Sequence, residues 1–122
     1  MKLLLVDDDA FLRDMYGMKF SECGHVVDTA ESPTVALNKL NQNQDFDAIL
    51  LDMVMPGMTG VELIDNIKSQ FPKLKAKFIV LSNQGQSDDI DKAMAAGALG
   101  YIIKAESIPS DVVKKVESLV KK

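Results

Sequence analysis

The feature that most constrains the fold is a set of five short, mostly apolar segments, each bounded by turn-forming or charged residues. They lie at residues 3–6, 26–27, 49–52, 78–81 and 101–103. Short apolar runs between turn signals favour strands that are buried on both faces. The stretches between them carry apolar residues at helical spacing, so strands and helices alternate along the chain. This alternation predicts a parallel sheet with helices on both faces, joined by right-handed crossovers.

The boundaries of the five helices have recognisable signals. Proline after Ser32 and after Ile108 suits the first turn of a helix, and Ser32 and Ser87 are predicted N-caps. Helix starts are expected at Ala10, at Ser32-Pro33, at Thr59 or Gly60, at Ser87 and at Ser107–Pro109, and Gly24 and Gly97 are expected stops. We predict an α/β fold of three layers, α/β/α, around a doubly wound five-stranded parallel sheet, with residues 1–122 as a single domain.

Composition excludes several classes of function. The chain has 122 residues and a net charge of −4, which argues against nonspecific nucleic-acid binding. One cysteine and one histidine exclude an internal disulfide and a histidine-rich zinc site. The apolar run at the start is too short for a signal peptide or a membrane span, so we expect a cytoplasmic protein. Cys23 is expected to be buried and His25 to lie at the surface or at an edge.

Polar residues follow the strongest strand signals. Asp7 and Asp8 follow the first strand, Asp52 ends the third, Ser82 follows the fourth and Lys104 follows the fifth. The carboxyl ends of parallel strands share one edge, where open α/β sheets place their chemistry. Three carboxylates in one place repel each other unless a cation joins them. A hard divalent ion, Mg²⁺ or Mn²⁺, suits such oxygen ligands.

These residues together favour phosphoryl transfer. The transferred group needs its oxygens neutralised by a metal, a lysine and hydrogen-bond donors, and it needs an in-line nucleophile. A carboxylate can be that nucleophile and form an aspartyl-phosphate. Asp52 is the best candidate because it stands alone at its strand end, whereas Asp7 and Asp8 form a paired ligand set.

Four motifs carry a resemblance to a known family: LLLVDDD, ILLDMVMPGMTG, VLSN and GYIIKAE. With them the whole chain resembles the receiver domain of two-component response regulators, a flavodoxin-like, chemotaxis-regulator-like (βα)5 fold. The resemblance implies that Asp52 is the phosphoacceptor and that Lys104 pairs with the phosphoryl group. It also implies a Mg²⁺ site made by Asp7, Asp8, Asp52 and the backbone carbonyl of Val54, with Asp8 touching the metal more directly than Asp7. Ser82 matches the switch hydroxyl and Tyr101 the switch aromatic, while Asp9 is not expected to bind metal.

The resemblance also implies a mechanism and a set of partners. A sensor histidine kinase or a histidine phosphotransfer protein supplies the phosphoryl group. The face made by the fourth helix, fifth strand and fifth helix then changes and is read by a downstream protein or a fused output domain. Neither nucleic acid nor membrane is expected to bind this domain directly. The expected role is a signalling switch and not an enzyme, although the domain assists its own phosphorylation and dephosphorylation.

The sequence departs from the family pattern beside the site. Ala105 follows Lys104 where the family usually has a proline, so we expect either a trans Lys104–Ala105 peptide with a rearranged loop or a retained cis bond. Val54 cannot orient water toward a phosphoryl group, whereas Gln84 can. We therefore expect moderately slow self-dephosphorylation.

Three alternatives compete with a stand-alone receiver. The first is that the chain is the receiver part of a longer transcriptional regulator. A phosphohydrolase with an aspartate nucleophile is a different class, but enzymes of the haloacid dehalogenase type want a second aspartate where this chain has Val54. A degenerate receiver that binds partners without phosphorylation is disfavoured because no acid of the set, nor the lysine, is lost.

Overall fold

The computed structural model describes residues 1–83 and 85–121, apart from the side chain of Ala105. The expectation for Gln84 therefore lies outside the described residues. The strands are β1 (Lys2–Val6), β2 (Val26–Ala30), β3 (Ala48–Leu51), β4 (Val54–Met55), β5 (Met58–Thr59), β6 (Lys77–Ser82) and β7 (Ala98–Ile103). The helices are α1 (Ala10–Glu22), α2 (Pro33–Gln42), α3 (Gly60–Gln70), α4 (Ser87–Ala96) and α5 (Pro109–Lys121), with a single 3₁₀ turn at Lys104–Glu106.

Five of these strands form one parallel sheet in the order β2-β1-β3-β6-β7. The chain moves outward from β1 to β2 and then returns to the other side of β1 with β3. This reversal is the switch point at which open α/β sheets leave a crevice beyond the carboxyl ends of their strands. The predicted doubly wound α/β fold is confirmed.

Alternation of side chains along the strands divides the core into two layers. On one face, Leu4, Val6 and Ile49 belong to a cluster that also contains buried residues of α2, α3 and α4. On the other face, Leu3 and Leu50 join buried residues of α1 and α5. The three-layer arrangement is confirmed, and each central strand is buried on both sides because each face is covered by helices.

Local capping explains where two of the helices begin. The Ser32 hydroxyl accepts a hydrogen bond from the backbone N–H of Val35 at 3.2 Å, as predicted for an N-cap. Thr59 and Glu62 form a reciprocal capping box at the start of α3. The prediction for Ser87 is wrong: it is the first residue of α4, and Gln86 occupies the N-cap position without a side-chain hydrogen bond.

A small hairpin lies between Asp52 and α3. Strands β4 and β5 pair antiparallel, with Met55 opposite Met58, and Pro56-Gly57 makes the turn between them. Gly57 has a φ of 82°, a left-handed conformation that glycine adopts at little cost. The break at Pro56-Gly57 was predicted from the sequence, but the two strands that flank it were not.

The expectation for Cys23 is wrong, whereas His25 lies at an edge as expected, directly before the edge strand β2. Cys23 is exposed and does not lie in the core. The His25 side chain is only 8% exposed, and its Nε2 lies 2.8 Å from a carboxylate oxygen of Glu117. Its Nδ1 lies 3.0 Å from the amino group of Met1, so His25 joins the start of β1 to α5.

None of the helices in the described ranges combines the length and apolar character needed to span a lipid bilayer.

Candidate functional site

Three carboxylates meet at the carboxyl edge of the sheet. Val6 and Leu51 are paired in the β1–β3 register, so Asp7 and Asp52, the residues that follow them, leave the sheet side by side. One oxygen from each of Asp7, Asp8 and Asp52 lies within 4.8 Å of the others. Asp7 is buried, Asp52 is partly covered and Asp8 is exposed. The structure thus brings together the three acids that the sequence indicated.

Lys104 lies between two of these acids. Its Nζ donates to Asp7 Oδ2 at 2.5 Å and to Asp52 Oδ2 at 3.2 Å, and its side chain is only 3% exposed. Burial alone would lower the pKa of Lys104, but the hydrogen bond to Asp7 and the negative charge of Asp52 outweigh burial and raise it above its ordinary value. Lys104 is therefore a fixed positive charge at neutral pH.

The peptide that follows Lys104 is trans, as there is no cis bond in the described ranges 1–83 and 85–121. Of the two alternatives expected for the missing proline, the trans peptide is the one found. The backbone enters the 3₁₀ turn at Lys104–Glu106, and the lysine side chain still reaches the acids. The alanine at position 105 therefore does not displace Lys104 from the site.

Backbone and helix contacts hold Asp7 in place. Its Oδ1 accepts a hydrogen bond from the Asp9 N–H at 2.9 Å, and its carbonyl oxygen accepts one from Arg13 at 2.9 Å. Asp9 in turn caps α1 by accepting from the Leu12 N–H, which gives it a structural role at the edge of the cluster. Arg13 was not predicted as part of the site, because only the helical path of α1 brings residue 13 back over the end of β1.

Asp52 is held by the start of the hairpin. The Val54 N–H donates to Asp52 Oδ1 at 3.3 Å, and Val54 as a residue is 53% exposed. On the other side, α3 approaches so closely that a Cβ added at Gly60 would lie 2.5 Å from the Asp52 carbonyl oxygen. Asp52 is thus fixed by backbone on both sides, and the predicted role of the Val54 carbonyl as a metal ligand stays a prediction.

Ser82 is the last residue of β6, and Tyr101 lies on the neighbouring strand β7, two residues before its end. Ser82 is buried, and Tyr101 is partly buried against the core beneath α4. Burial raises the pKa of Tyr101, a hydrogen bond with the Ser82 side chain opposes that rise, and the charges of Asp89 and Asp52 add to it. The two residues predicted to form a switch are therefore in contact, and the phenol senses the acid cluster.

The donor set of the cluster suits a hard divalent ion. It consists of carboxylate oxygens only, one of them from an exposed residue, and Mg²⁺ prefers oxygen ligands while keeping several waters. In the described part of the chain, these three carboxylates face the positive charges of Lys104 and Arg13, which leaves excess negative charge for a cation to neutralise. A metal ion at this position is compatible with the residues present.

Comparisons with known proteins agree with this geometry. The two-component response regulator PhoP of Pseudomonas aeruginosa is 36% identical over 107 residues, which are 85% of this chain and 45% of that protein. Chemotaxis protein CheY of Halobacterium salinarum is 35% identical over 109 residues, 89% of this chain and 88% of that protein. The crystal structure of Vibrio cholerae chemotaxis protein CheY4 superposes with a TM-score of 0.87 at 28% identity, covering 97% of each chain.

The chain spans about half the length of several curated relatives, including PhoP and the transcriptional regulatory protein ResD of Bacillus subtilis, where it covers 45% and 48%. The family model described as the response regulator receiver domain matches residues 3–117, nearly the entire chain. With the sheet order, the acid cluster and these relatives in agreement, the chain belongs to the response regulator receiver domain family of two-component signal transduction.

Proposed function

We propose that Asp52 is the phosphoacceptor of this receiver domain and takes its phosphoryl group from a phosphohistidine on a partner protein. The observation that carries the proposal is the convergence of three carboxylate oxygens within 4.8 Å, with Lys104 bonded to two of the same acids. Of the two acids bonded to Lys104, Asp52 is partly exposed and Asp7 is buried. An incoming phosphoryl group therefore meets Asp52 before Asp7.

The chemical step is a transfer between two nucleophiles. An oxygen of Asp52 attacks the phosphorus atom, a phosphorus–oxygen bond forms, and the phosphorus–nitrogen bond to the histidine breaks. The histidine nitrogen keeps the bonding electron pair, and the product on Asp52 is an acyl phosphate. Lys104 places its positive charge beside the oxygens that gain charge in the transition state.

Asp7 and Asp8, together with Asp52, are the residues that would hold the Mg²⁺ or Mn²⁺ ion. A bound divalent ion neutralises charge on the phosphoryl oxygens and on the crowded carboxylates. Asp7 is the more rigid of the two ligands because Asp9 and Arg13 hold it from the α1 side. Asp8 is exposed and free to approach an ion that enters from solvent.

The readout proposed for this switch runs through Ser82 and Tyr101. A phosphoryl group on Asp52 offers new hydrogen-bond acceptors to the Ser82 hydroxyl, which now partners Tyr101. A shift of Ser82 toward Asp52 changes the surroundings of the tyrosine, and with it the surface formed by α4, β7 and α5. The group biases two conformations only by its different contacts with each.

The proposed partners are a sensor histidine kinase or histidine phosphotransfer protein upstream, and a downstream protein or a fused output domain. A fused domain has support in the lengths of relatives such as ResD, of which this chain covers 48%. The phosphohydrolase alternative lacks support: Val54 occupies the position that needs a second acid, and the relatives are signalling proteins.

The first prediction is phosphorylation of Asp52 by a small-molecule donor. Incubation with acetyl phosphate and Mg²⁺ should add the mass of one phosphoryl group to the intact protein. Asp52→Asn should abolish the adduct, and a chelator should suppress it. Asp65→Asn, which changes an exposed acid on α3 away from the cluster, is the matched control and should label like the wild type. An unlabelled wild type, or a labelled Asp52→Asn variant, contradicts the proposal.

A further inference from the structure

An aromatic ring lies beside the charged end of Lys104. The Lys104 Nζ is positioned over the ring of Tyr16, 6.0 Å from its centroid. An ammonium over the face of a tyrosine at this distance is attracted by the negative potential of the ring, and the attraction grows when water is excluded. Here both partners are buried, since Tyr16 is 2% exposed and Lys104 is 6% exposed.

Tyr16 is buried in the core of the molecule. It lies in the middle of α1 and packs in the core layer formed by β1, β3, α1 and α5. The same helix carries Asp9 and Arg13, which hold Asp7. Helix α1 and its N-cap therefore support both members of the Lys104–Asp7 ion pair. Asp9 and Arg13 donate hydrogen bonds to Asp7, and the Tyr16 ring lies beside the ammonium of Lys104.

The hydroxyl of Tyr16 also lies within range of the lysine charge. Burial raises the pKa of Tyr16, and the positive charge of Lys104 opposes that rise. Together with the position of Nζ over the ring, this places the tyrosine beside the ammonium. Tyr16 is thus placed to influence where the ammonium rests between its two carboxylate partners.

The backbone at Lys104 restrains the start of this side chain but not its charged end. The Lys104 carbonyl oxygen accepts a hydrogen bond from the Ser107 N–H at 3.3 Å. Residue 105 is alanine, which leaves φ free where a proline ring would fix it. The 3₁₀ turn that begins at Lys104 has no side-chain hydrogen bond at its N-cap residue, Ile103. The position of the ammonium therefore depends on what surrounds the side chain, and the described contacts of Nζ are Asp7, Asp52 and the Tyr16 ring.

We propose that Tyr16 is a positioning residue for phosphoryl transfer, which holds the Lys104 ammonium beside Asp52 through the face of its ring. The proposal rests on the proposed function of Asp52 and Lys104. It goes beyond packing, because an apolar side chain of similar volume would fill the same space without attracting the cation. It assigns the effect to the aromatic face and not to the hydroxyl.

Substitutions at position 16 distinguish the electrostatic effect of the aromatic ring from the effect of the volume that it fills. Tyr16→Phe keeps the ring and should leave the rate of Asp52 labelling by acetyl phosphate within about twofold of the wild type. Tyr16→Leu removes the ring and should slow labelling by about threefold or more. Phe20→Leu is the matched control, because Phe20 is fully buried on the same helix and in the same core layer. This control should lower thermal stability without slowing labelling.

A graded series protects the test against misfolding of the leucine variant. Phenylalanines with increasing ring fluorination at position 16 keep nearly the same shape while the negative potential of the ring face falls. Labelling rates should decrease in step with that potential. Equal rates across the series, or an equal loss of rate in Phe20→Leu, would overturn the proposal and leave Tyr16 as a packing residue.

A spectroscopic readout keeps this proposal distinct from the assignment of Asp52. The buried, hydrogen-bonded ammonium of Lys104 should give a slowly exchanging proton–nitrogen NMR signal in the wild type and in Tyr16→Phe. The signal should broaden in Tyr16→Leu as the ammonium loses its fixed position. If the wild type takes no phosphoryl group, the assignment of Asp52 fails while the NMR comparison still judges the ring contact. An unchanged signal in Tyr16→Leu counts against the contact between the Tyr16 ring and Lys104, but not against the assignment of Asp52.

Discussion

Single residues in this site acquire their roles from the atoms that surround them. Asp7 and Asp52 are chemically identical and share Lys104, but Asp7 has a 2% exposed side chain and Asp52 a 13% exposed one. The buried acid makes two local contacts through Asp9 and Arg13, whereas the more accessible acid faces the crevice. Burial therefore distinguishes Asp7, which we propose as a metal ligand only, from Asp52, which we propose as the nucleophile as well.

At the same scale, Val54 should control how long the phosphoryl group stays. Val54 is exposed, its backbone N–H donates to Asp52 Oδ1, and its side chain has no polar atom to orient an attacking water. Val54→Asn should accelerate loss of phosphate from labelled protein by about tenfold, which corresponds to about 1.4 kcal/mol of barrier. Release of inorganic phosphate after removal of the donor measures the rate. Val54→Leu is the apolar control, and an unchanged rate in Val54→Asn would count against this role.

The elements show which parts of the structure a sequence can predict. Strands β1, β3 and β6 were predicted within about one residue because a buried parallel strand is a continuous apolar run. Strand β2 was predicted only at Val26 and Val27, although it continues through Asp28 and Thr29 to Ala30. Strand β2 lies at the edge of the sheet, where it is less covered and tolerates polar residues. The apolar run in the sequence therefore ends before the strand does.

Other elements depend on contacts that are distant in sequence. The hairpin β4–β5 has two residues in each strand, too few for any period to appear. Arg13 and Tyr16 were not recognised as parts of the site because a helix carries no local sign of what its buried face contacts. The acid cluster and Lys104 were predicted, since the ends of parallel strands share one edge whatever the details of the loops.

Alanine substitutions at two helical glycines should change the stability in opposite directions. At the first position of α3, a Cβ on Gly60 would lie 2.5 Å from the Asp52 carbonyl oxygen. Because this oxygen belongs to the backbone, relieving the clash requires a backbone shift that costs stability. In the interior of α1, a Cβ on Gly17 would meet only a Thr29 methyl at 3.8 Å. Gly60→Ala should therefore lower the free energy of unfolding by about 1–3 kcal/mol. Gly17→Ala should raise it by up to about 1 kcal/mol, because alanine favours helix.

Urea denaturation of the two alanine variants tests this pair. The Gly60 variant should also label more slowly at Asp52, because α3 must move away from the residue that carries the phosphoryl group. A Gly60→Ala variant as stable as Gly17→Ala would show that α3 does not press on Asp52.

Across the whole molecule, the order of strands turns local acids into one site. Strands β1 and β3 are neighbours in the sheet. In the sequence, the 41 residues 7–47 separate the end of β1 at Val6 from the start of β3 at Ala48. Helices α1 and α5 cover one face, and α2, α3 and α4 cover the other. The site therefore exists only in the folded protein, and its ligands should report on folding.

Magnesium should consequently stabilise the whole domain. An ion that binds the folded state alone adds about 2.7 kcal/mol to stability at about 100 times its Kd, so the melting temperature should rise by several degrees. Asp8→Asn should remove most of this increment while leaving the metal-free protein as stable or more so, because one of three crowded charges is lost. Asp14→Asn, an exposed acid on α1, should keep the full increment. Calorimetry with and without Mg²⁺ decides the matter: equal increments in the Asp8 and Asp14 variants would place any bound ion outside this cluster.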